Sequence, residues 1–126
     1  MSIPVYNDWT ITDDYWNEPT SLNSDQAVQK NADGTYTVVI SPPTDPLVAN
    51  WISTGGLNQG IISMRFQKNL DTGDPAQPSV QSQVVKLDEL AHNTNGTAVI
   101  TQAERDEQLV LRKAGFDKRW APYPQA

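Results

Sequence analysis

Cysteine is absent from this 126-residue sequence, which excludes disulfides, thiolate nucleophiles and thiolate metal ligands. There is a single histidine, His92, so metal sites built from two or three histidines are excluded by count. No apolar run approaches the roughly 18 residues of a membrane-spanning helix. Residues 1–6 also lack the charged start and apolar core of a signal peptide. We therefore expect a soluble, cytoplasmic protein.

Basic residues are scarce in most of the sequence. Residues 1–100 carry four basic and eleven acidic side chains, giving −7, and residues 101–126 carry five and four, giving +1, for a total of −6. An acidic body repels phosphate backbones and anionic lipid surfaces, so we expect no nucleic-acid partner. The absence of a long apolar run predicts no membrane span. The length suffices for one core. We predict one β domain over residues 1–100, with a helix and tail over residues 101–126 packed on it or extending from it.

What is present favours a mainly β fold. Short runs of β-branched and aromatic residues alternate with turn signals, a pattern typical of an antiparallel sandwich or a partly closed barrel. Asn31-Ala32-Asp33-Gly34 predicts a β-hairpin, because Asp-Gly supplies the pair of positive φ angles that a tight turn requires. The predicted strands are residues 9–12, 20–22, 26–30, 35–40, 61–66, 80–87 and 97–100, and residues 69–79 read as a polar connection.

The segment from Asp45 to Phe66 is predicted to organise the fold. Its first part is a loop punctuated by proline and glycine, within which Trp51 should fold back onto the domain. Its last part, residues 61–66, is the clearest strand pattern. Ile62, Met64 and Phe66 share one face of that strand, which we predict to be buried in the core.

One helix is predicted near the C-terminus. Thr101 and Glu104 form a capping box, in which each side chain bonds the backbone N–H of the other residue. The predicted helix runs over residues 102–114, with Gly115 as its stop. Its apolar stripe is narrow, so it should rest on the surface of the sheet.

Taken together, several of these segments resemble the domain-of-unknown-function family 1214. The resembling pieces are residues 16–27, the Asp33-Gly34 turn with its following strand, residues 50–56, Gly60 with residues 64–66, residues 84–87 and the start of the predicted helix. The resemblance implies a jelly-roll-like antiparallel β-sandwich, often preceded by a companion domain of the unknown-function family 1254 type. It brings no catalytic residues. These 126 residues leave no room for the companion, so a stand-alone member, a subunit of a split pair and a piece of a longer chain stay open.

Six residues are candidates for ligand binding, each with a structural alternative: Arg65, Asn50, Trp51, Thr54, Gln26 and Trp16. Arg65 either faces solvent or presents its guanidinium fork to a carboxylate or phosphate. Asn50 and Thr54 either tie the loop backbone or touch a ligand. The tryptophans either fill the core or stack on sugar rings or an apolar ligand.

Two other features have weaker functional interpretations. His92 lies in a polar stretch and is either a loop histidine or a general base. Asp13, Asp14 and Glu18 form either a solvated turn or a calcium site, although no known ligand spacing is present. We assign no metal, no cofactor and no catalytic residue.

Two functions are carried forward. The first is a non-enzymatic module that binds a small molecule or a protein partner, including a second copy of itself or a companion domain. The second is a small enzyme or enzyme subunit acting on an organic or carbohydrate substrate. A pocket in which Arg65 converges with carboxylates favours the enzyme, whereas an exposed apolar patch beside a filled interior favours the binding module.

Overall fold

The computed structural model describes residues 1–24, 29–67, 78–93 and 97–120, and it leaves the side chains of Ala91, His92 and Trp120 undescribed. Five short strands and one long helix are found in these ranges. In chain order the elements are β1 (Ser2–Tyr6), β2 (Ser21–Asn23), β3 (Val39–Ser41), β4 (Trp51–Ser53), β5 (Ile61–Ile62), a 3-10 turn (Leu87–Glu89), α1 (Leu90–Asn93) and α2 (Gln102–Trp120).

The larger sheet is antiparallel, with strand order β2-β1-β5. Its ladder between β1 and β5 continues past Ile62, because Ser2 and Arg65 exchange two backbone hydrogen bonds of 2.9 Å in the same register. Between these points the Ser63 N–H donates to the Pro4 carbonyl at 3.1 Å, but Pro4 has no N–H to return. Pro4 therefore interrupts the ladder, and the predicted strand 61–66 is reduced to Ile61–Ile62 and an isolated bridge at Arg65.

The smaller sheet pairs β3 with β4 in parallel, with Val39 opposite Trp51 and Ser41 opposite Ser53. Parallel neighbours need a crossover rather than a hairpin, and residues 42–50 supply one here without a helix. The sequence predicted antiparallel pairing only. The structure thus has one antiparallel and one parallel sheet, both small, with a C-terminal helix, and no sandwich or jelly roll is formed by the described residues.

The core lies between the two sheets. Ile3 and Val5 of β1 pack with Ile52 of β4, which is fully buried. A second buried cluster joins Val39, Val48 and Trp51. Buried side chains alternate along β1 and β3, as a two-residue period requires, whereas all three residues of β4 are buried.

The predicted burial of the 61–66 strand is wrong. Ile62 is 54% exposed, and Met64 and Phe66 are each 38% exposed. Ile62 lies opposite the buried Val5, so it does project from the core side of the sheet. The core simply ends at β1, because the residues that cover β1 do not extend over β5.

Other predicted strands also differ. Residues 9–12 form a turn, in which the Asn7 Oδ1 accepts the N–H groups of Trp9 and Ile11, and both of those side chains are exposed. The described residues 78–86 contain no strand, and residues 97–100 contribute only a bridge from Val99 to Val48. Residues 25–28 and 68–77, which hold most of the predicted strand 26–30 and of the polar connection, are outside the described residues.

The helix prediction is confirmed at its start and wrong at its end. The Thr101 N–H donates to the Glu104 Oε2 at 2.7 Å, and the Glu104 N–H returns a bond to the Thr101 Oγ1 at 3.3 Å. The helix then continues through Gly115 to Trp120. No helix among the described residues is long and apolar enough to span a bilayer.

Candidate functional site

Asn50 is a structural residue. Its side chain is 1% exposed, and its Nδ2 donates to the carbonyls of Gln29 at 2.7 Å and Thr37 at 3.1 Å. The Gln29 N–H donates to its Oδ1 at 2.8 Å. The amide thus satisfies backbone groups that have no sheet partner, and these bonds occupy the side chain.

Trp51 is also part of the interior. It is 4% exposed, and its Nε1 donates to the Ser41 Oγ at 2.9 Å. The guanidinium carbon of Arg105 lies 5.1 Å from the centre of a Trp51 ring, a cation–π contact within the buried face. Trp51 therefore anchors β4 and helix α2 rather than a ligand in this arrangement.

Trp16 contacts the far end of α2. Its Nε1 donates to the Asp117 Oδ1 at 3.1 Å, and the Lys113 ammonium lies 5.3 Å from its ring. Tyr15 and Trp16 form tilted ring contacts with Phe116 at 5.1 and 6.3 Å. These aromatic residues dock the C-terminal half of α2, and none of them lines the groove described below. Gln26 is outside the described residues.

Thr54 lines a shallow apolar groove beside β5. The groove encloses about 140 Å³ and is lined by Val5, Tyr6, Ile40, Thr54 and residues 57–62. The Thr54 Oγ1 is buried and has no hydrogen-bond partner among the described residues. The residue therefore borders a mostly apolar groove, but its hydroxyl oxygen is enclosed by the protein.

Arg65 lies on the exposed part of the same strand. Its Nη2 donates to the Tyr6 hydroxyl at 3.2 Å, and Tyr6 is part of the groove lining. Arg65 itself does not line the groove, and none of the lining residues carries a carboxylate or an imidazole. Of the six predicted residues, the structure therefore brings Thr54 and Arg65 to the neighbourhood of β5 and places Asn50, Trp51 and Trp16 elsewhere.

The outer edge of β5 is the feature that the sequence analysis missed. In an antiparallel ladder, backbone groups point alternately toward and away from the neighbouring strand. Ser63 and Arg65 bond to β1, so the N–H and C=O groups of Ile62 and Met64 point away from it. β5 is the last strand of the sheet among the described residues. Four apolar side chains along this edge are 38–54% exposed: Ile61, Ile62, Met64 and Phe66.

Two acidic residues near turns have lowered pKa values for local reasons. The Asn17 side-chain amide donates to Asp14 and holds the pKa of that carboxyl below its ordinary value. The Thr35 hydroxyl does the same for Asp33. Both carboxylates cap turns. Within the described residues, no three acidic or histidine side chains are grouped as they would be around a metal ion.

Sequence analysis also missed Arg105 and Arg112. Arg105 is 3% exposed, and its Nε donates to the Asp45 Oδ2 at 2.8 Å. The Arg112 Nη1 donates to the Ser21 carbonyl at 3.0 Å, and burial lowers its pKa. Arg105 is buried and Arg112 half-buried, and their seven-residue spacing puts both on the face of α2 that packs against the rest of the protein.

Scans against protein-family models, curated proteins and solved structures returned no match to this sequence. The resemblance to family 1214 stays a prediction, and the geometry of the β5 region carries the functional argument.

Proposed function

We propose that this protein is a non-enzymatic binding module that accepts an extended strand of a protein partner along the outer edge of β5. The observation that carries the proposal is the combination of outward-pointing backbone groups at Ile62 and Met64 with exposed apolar side chains on the same segment. An added strand would form hydrogen bonds with the outward-pointing backbone groups and would cover the exposed apolar side chains.

The backbone provides the affinity of such a contact. Ile62 and Met64 each offer one donor and one acceptor, so an added strand can form up to four hydrogen bonds with them. Each such bond contributes about 1 kcal/mol net, because the same groups are hydrated in the free protein. The edge therefore supports binding without fixing the sequence of the partner.

The groove provides selectivity. It lies beside β5 on the side of the sheet that holds the core residue Val5, and its lining includes Ile61 and Ile62. Apolar side chains of a bound strand would enter it from the sheet face.

The resemblance to family 1214 implies a β-sandwich, and we propose that binding of a partner strand brings the protein closer to that architecture. The two small sheets contact each other through Ile52, but the β5 end of the larger sheet is uncovered. On this interpretation the two sheets are the incomplete layers of a sandwich, and an added strand extends the larger sheet. The groove lining lacks ionisable groups other than Tyr6, which supports the binding module over the enzyme hypothesis.

Amide hydrogen exchange measured by NMR tests the proposal residue by residue. A peptide that binds the wild-type protein is first selected from a displayed random library, with counter-selection against Met64→Lys. Binding should slow exchange at the outward amides of Ile62 and Met64 at least tenfold. The Ser63 and Arg65 amides, already bonded to β1, should change much less.

The matched control replaces a different exposed apolar residue, Val84→Lys, which lies in a segment without strand pairing and should leave peptide binding unchanged. Failure to select any peptide that discriminates Met64→Lys from wild type would overturn the proposal. So would a selected peptide that protects amides elsewhere and leaves Ile62 and Met64 exchanging at their free rate.

A further inference from the structure

We infer that the partner strand can be supplied by a second copy of this protein, through antiparallel pairing of the two β5 edges about a two-fold axis at Ser63. This rests on the proposed function, because it identifies the occupant of the same edge. The result is a continuous six-stranded sheet with strand order β2-β1-β5, then β5-β1-β2 of the second copy.

The length of the ladder places the axis. The β1–β5 ladder runs in one register from Ile61, opposite Tyr6, to Arg65, opposite Ser2, so its central residue is Ser63. A two-fold axis perpendicular to the sheet at Ser63 puts Ile62 of each copy opposite Met64 of the other. These are the residues whose backbone groups point outward, so four intermolecular hydrogen bonds form.

The side-chain match follows from the same register. Ile62 and Met64 of both copies lie on one face, where four apolar side chains meet. On the other face Ser63 meets its own copy at the axis, and Arg65 lies opposite Ile61. The two arginines are thus kept apart, and no like charges face each other directly.

Charge makes this edge suitable for self-association. The protein has a net charge of −6, but residues 60–67 contain no acidic residue and one basic residue, Arg65. Asp8 lies at the Ile61 end of the edge, where Gln59 Nε2 donates to its Oδ2. Antiparallel pairing directs Arg65 of each copy toward the end that carries Asp8 of the other, so opposite charges approach at both ends of the interface.

The contact is modest in size. One strand pair with four apolar side chains per copy buries less than the roughly 800 Å² per partner of a standard interface. We therefore expect a dissociation constant on the order of micromolar for the wild-type protein. Such an interface lets a heterologous strand displace the second copy, which is consistent with the proposed function.

A cysteine at the axis tests the geometry directly. Directly opposed residues in a non-hydrogen-bonded antiparallel pair have Cα atoms about 4.5 Å apart, within the range of a disulfide. Since the protein has no cysteine, Ser63→Cys introduces the only thiol. Mild oxidation should convert most of it to a covalent dimer at concentrations near the dissociation constant. Ser82→Cys, at an exposed position outside any strand, is the control and should stay largely monomeric.

Charge exchange tests the pairing in the absence of any crosslink. Sedimentation velocity should show the wild type shifting from monomer to dimer between about 1 and 500 µM. The variants Ile62→Lys/Met64→Lys and Ile62→Glu/Met64→Glu should each weaken self-association at least tenfold. An equimolar mixture of the two should recover a dimer, because opposite charges then face each other across the axis. Val110→Lys/Leu111→Lys, exposed on α2, should dimerise as the wild type does.

A wild type that stays monomeric up to the highest concentration, with no more Ser63→Cys crosslinking than Ser82→Cys, would overturn the inference. A dimer that survives Ile62→Lys/Met64→Lys would also overturn it. In either case the proposed function is judged separately by the peptide exchange measurement, since a selected peptide can protect Ile62 and Met64 in a monomer.

Discussion

Arg105 and Asp45 form a largely buried ion pair that connects helix α2 to the crossover between β3 and β4, with the Nε of Arg105 2.8 Å from the Oδ2 of Asp45. The same guanidinium donates to the Val48 carbonyl and lies against the ring of Trp51. One arginine thus satisfies a carboxylate and a buried carbonyl while stacking on the core tryptophan. Three separate segments of the chain depend on it.

Removing the Asp45 carboxylate should reduce the unfolding free energy by more than the partial exposure of that side chain suggests. Asp45→Ala leaves the 3%-exposed Arg105 side chain charged and without its main partner, and we expect the protein to lose about 3 kcal/mol of unfolding free energy. Urea denaturation followed by tryptophan fluorescence measures this loss. Glu107→Ala, exposed on the same helix, is the control and should change stability by less than about 0.5 kcal/mol. Equal effects of the two would contradict the structural role of the pair.

Asn50 should tolerate neither truncation nor charge. Asn50→Ala leaves the Gln29 N–H and the Gln29 and Thr37 carbonyls without their side-chain partner, and we expect a loss of about 1–3 kcal/mol. Asn50→Asp keeps the size and the acceptor but replaces the donors with a buried negative charge, so it should be at least as destabilising at neutral pH. The same denaturation experiment applies. Asn58→Ala, an exposed control, should be close to neutral, and a neutral Asn50→Asp would exclude the bonding scheme given above.

The capping box should make helix α2 sensitive to acid. The Thr101 backbone N–H, and then its hydroxyl, hold the pKa of Glu104 below its ordinary value of 4.5. A carboxylate with a lowered folded-state pKa stabilises the fold above its unfolded pKa, and that contribution disappears as the pH falls through the folded value. We therefore expect the thermal midpoint to fall with pH below 4.5. Glu104→Gln should reduce this slope, whereas Glu107→Gln should leave it unchanged.

Asp14 and Asp33 also have lowered pKa values, so part of the acid destabilisation will persist in Glu104→Gln. The informative quantity is the difference in slope between wild type and variant, measured by circular dichroism. Identical slopes for wild type and Glu104→Gln would contradict the prediction, because they would mean that the Glu104 carboxylate gains no hydrogen bond on folding.

Two glycines should respond in opposite ways to alanine. Gly115 lies inside α2, and a Cβ there meets nothing within 4 Å, so Gly115→Ala should stabilise the protein by up to about 1 kcal/mol. A Cβ at Gly60 would overlap the Tyr6 carbonyl, so Gly60→Ala must push β5 away from β1. We expect a loss of about 1–3 kcal/mol and weaker binding at the β5 edge. Thermal denaturation of both variants checks the contrast, and a stabilising Gly60→Ala would contradict the close approach.

Features fixed by near neighbours were predicted well. The Thr101–Glu104 box and the turn at Asp33-Gly34 each depend on bonds within four residues, and both are present, with Gly34 at φ 87° and Asn31 bonded to Thr35. The predicted hairpin is not formed: Asp33 does not share the positive φ, and the described residues 29–38 contain no strand. Gly55 and Gly56, in the loop predicted from its proline and glycine residues, both have positive φ. Buried position and pairing direction were predicted poorly. The pattern of residues 61–66 identifies which side of the strand faces the core but not how far the core reaches, and so Ile62 and Met64 were wrongly expected to be buried.

In the candidate site, too, the sequence identified individual residues but not the distant segments that they contact. Arg65 and Thr54 were recognised as unusual polar residues, but their relation to a free strand edge depends on β5 being last in its sheet. Asn50 and Trp51 were recognised as important, and the structure gives them partners in distant segments, Gln29 and Arg105, that no short motif announces.

The sequence by itself determined where this protein turns and where its last helix begins, because those features require only a residue's own torsional preference and hydrogen bonds to near neighbours. The tertiary structure decided that β3 and β4 run in parallel, that Arg105 is enclosed by Asp45 and Trp51, and that Ile62 and Met64 lie at an uncovered edge. Those outcomes depend on which distant segments reach each other and on how much apolar surface is available to cover each strand. Alternation along a single strand carries no information about either.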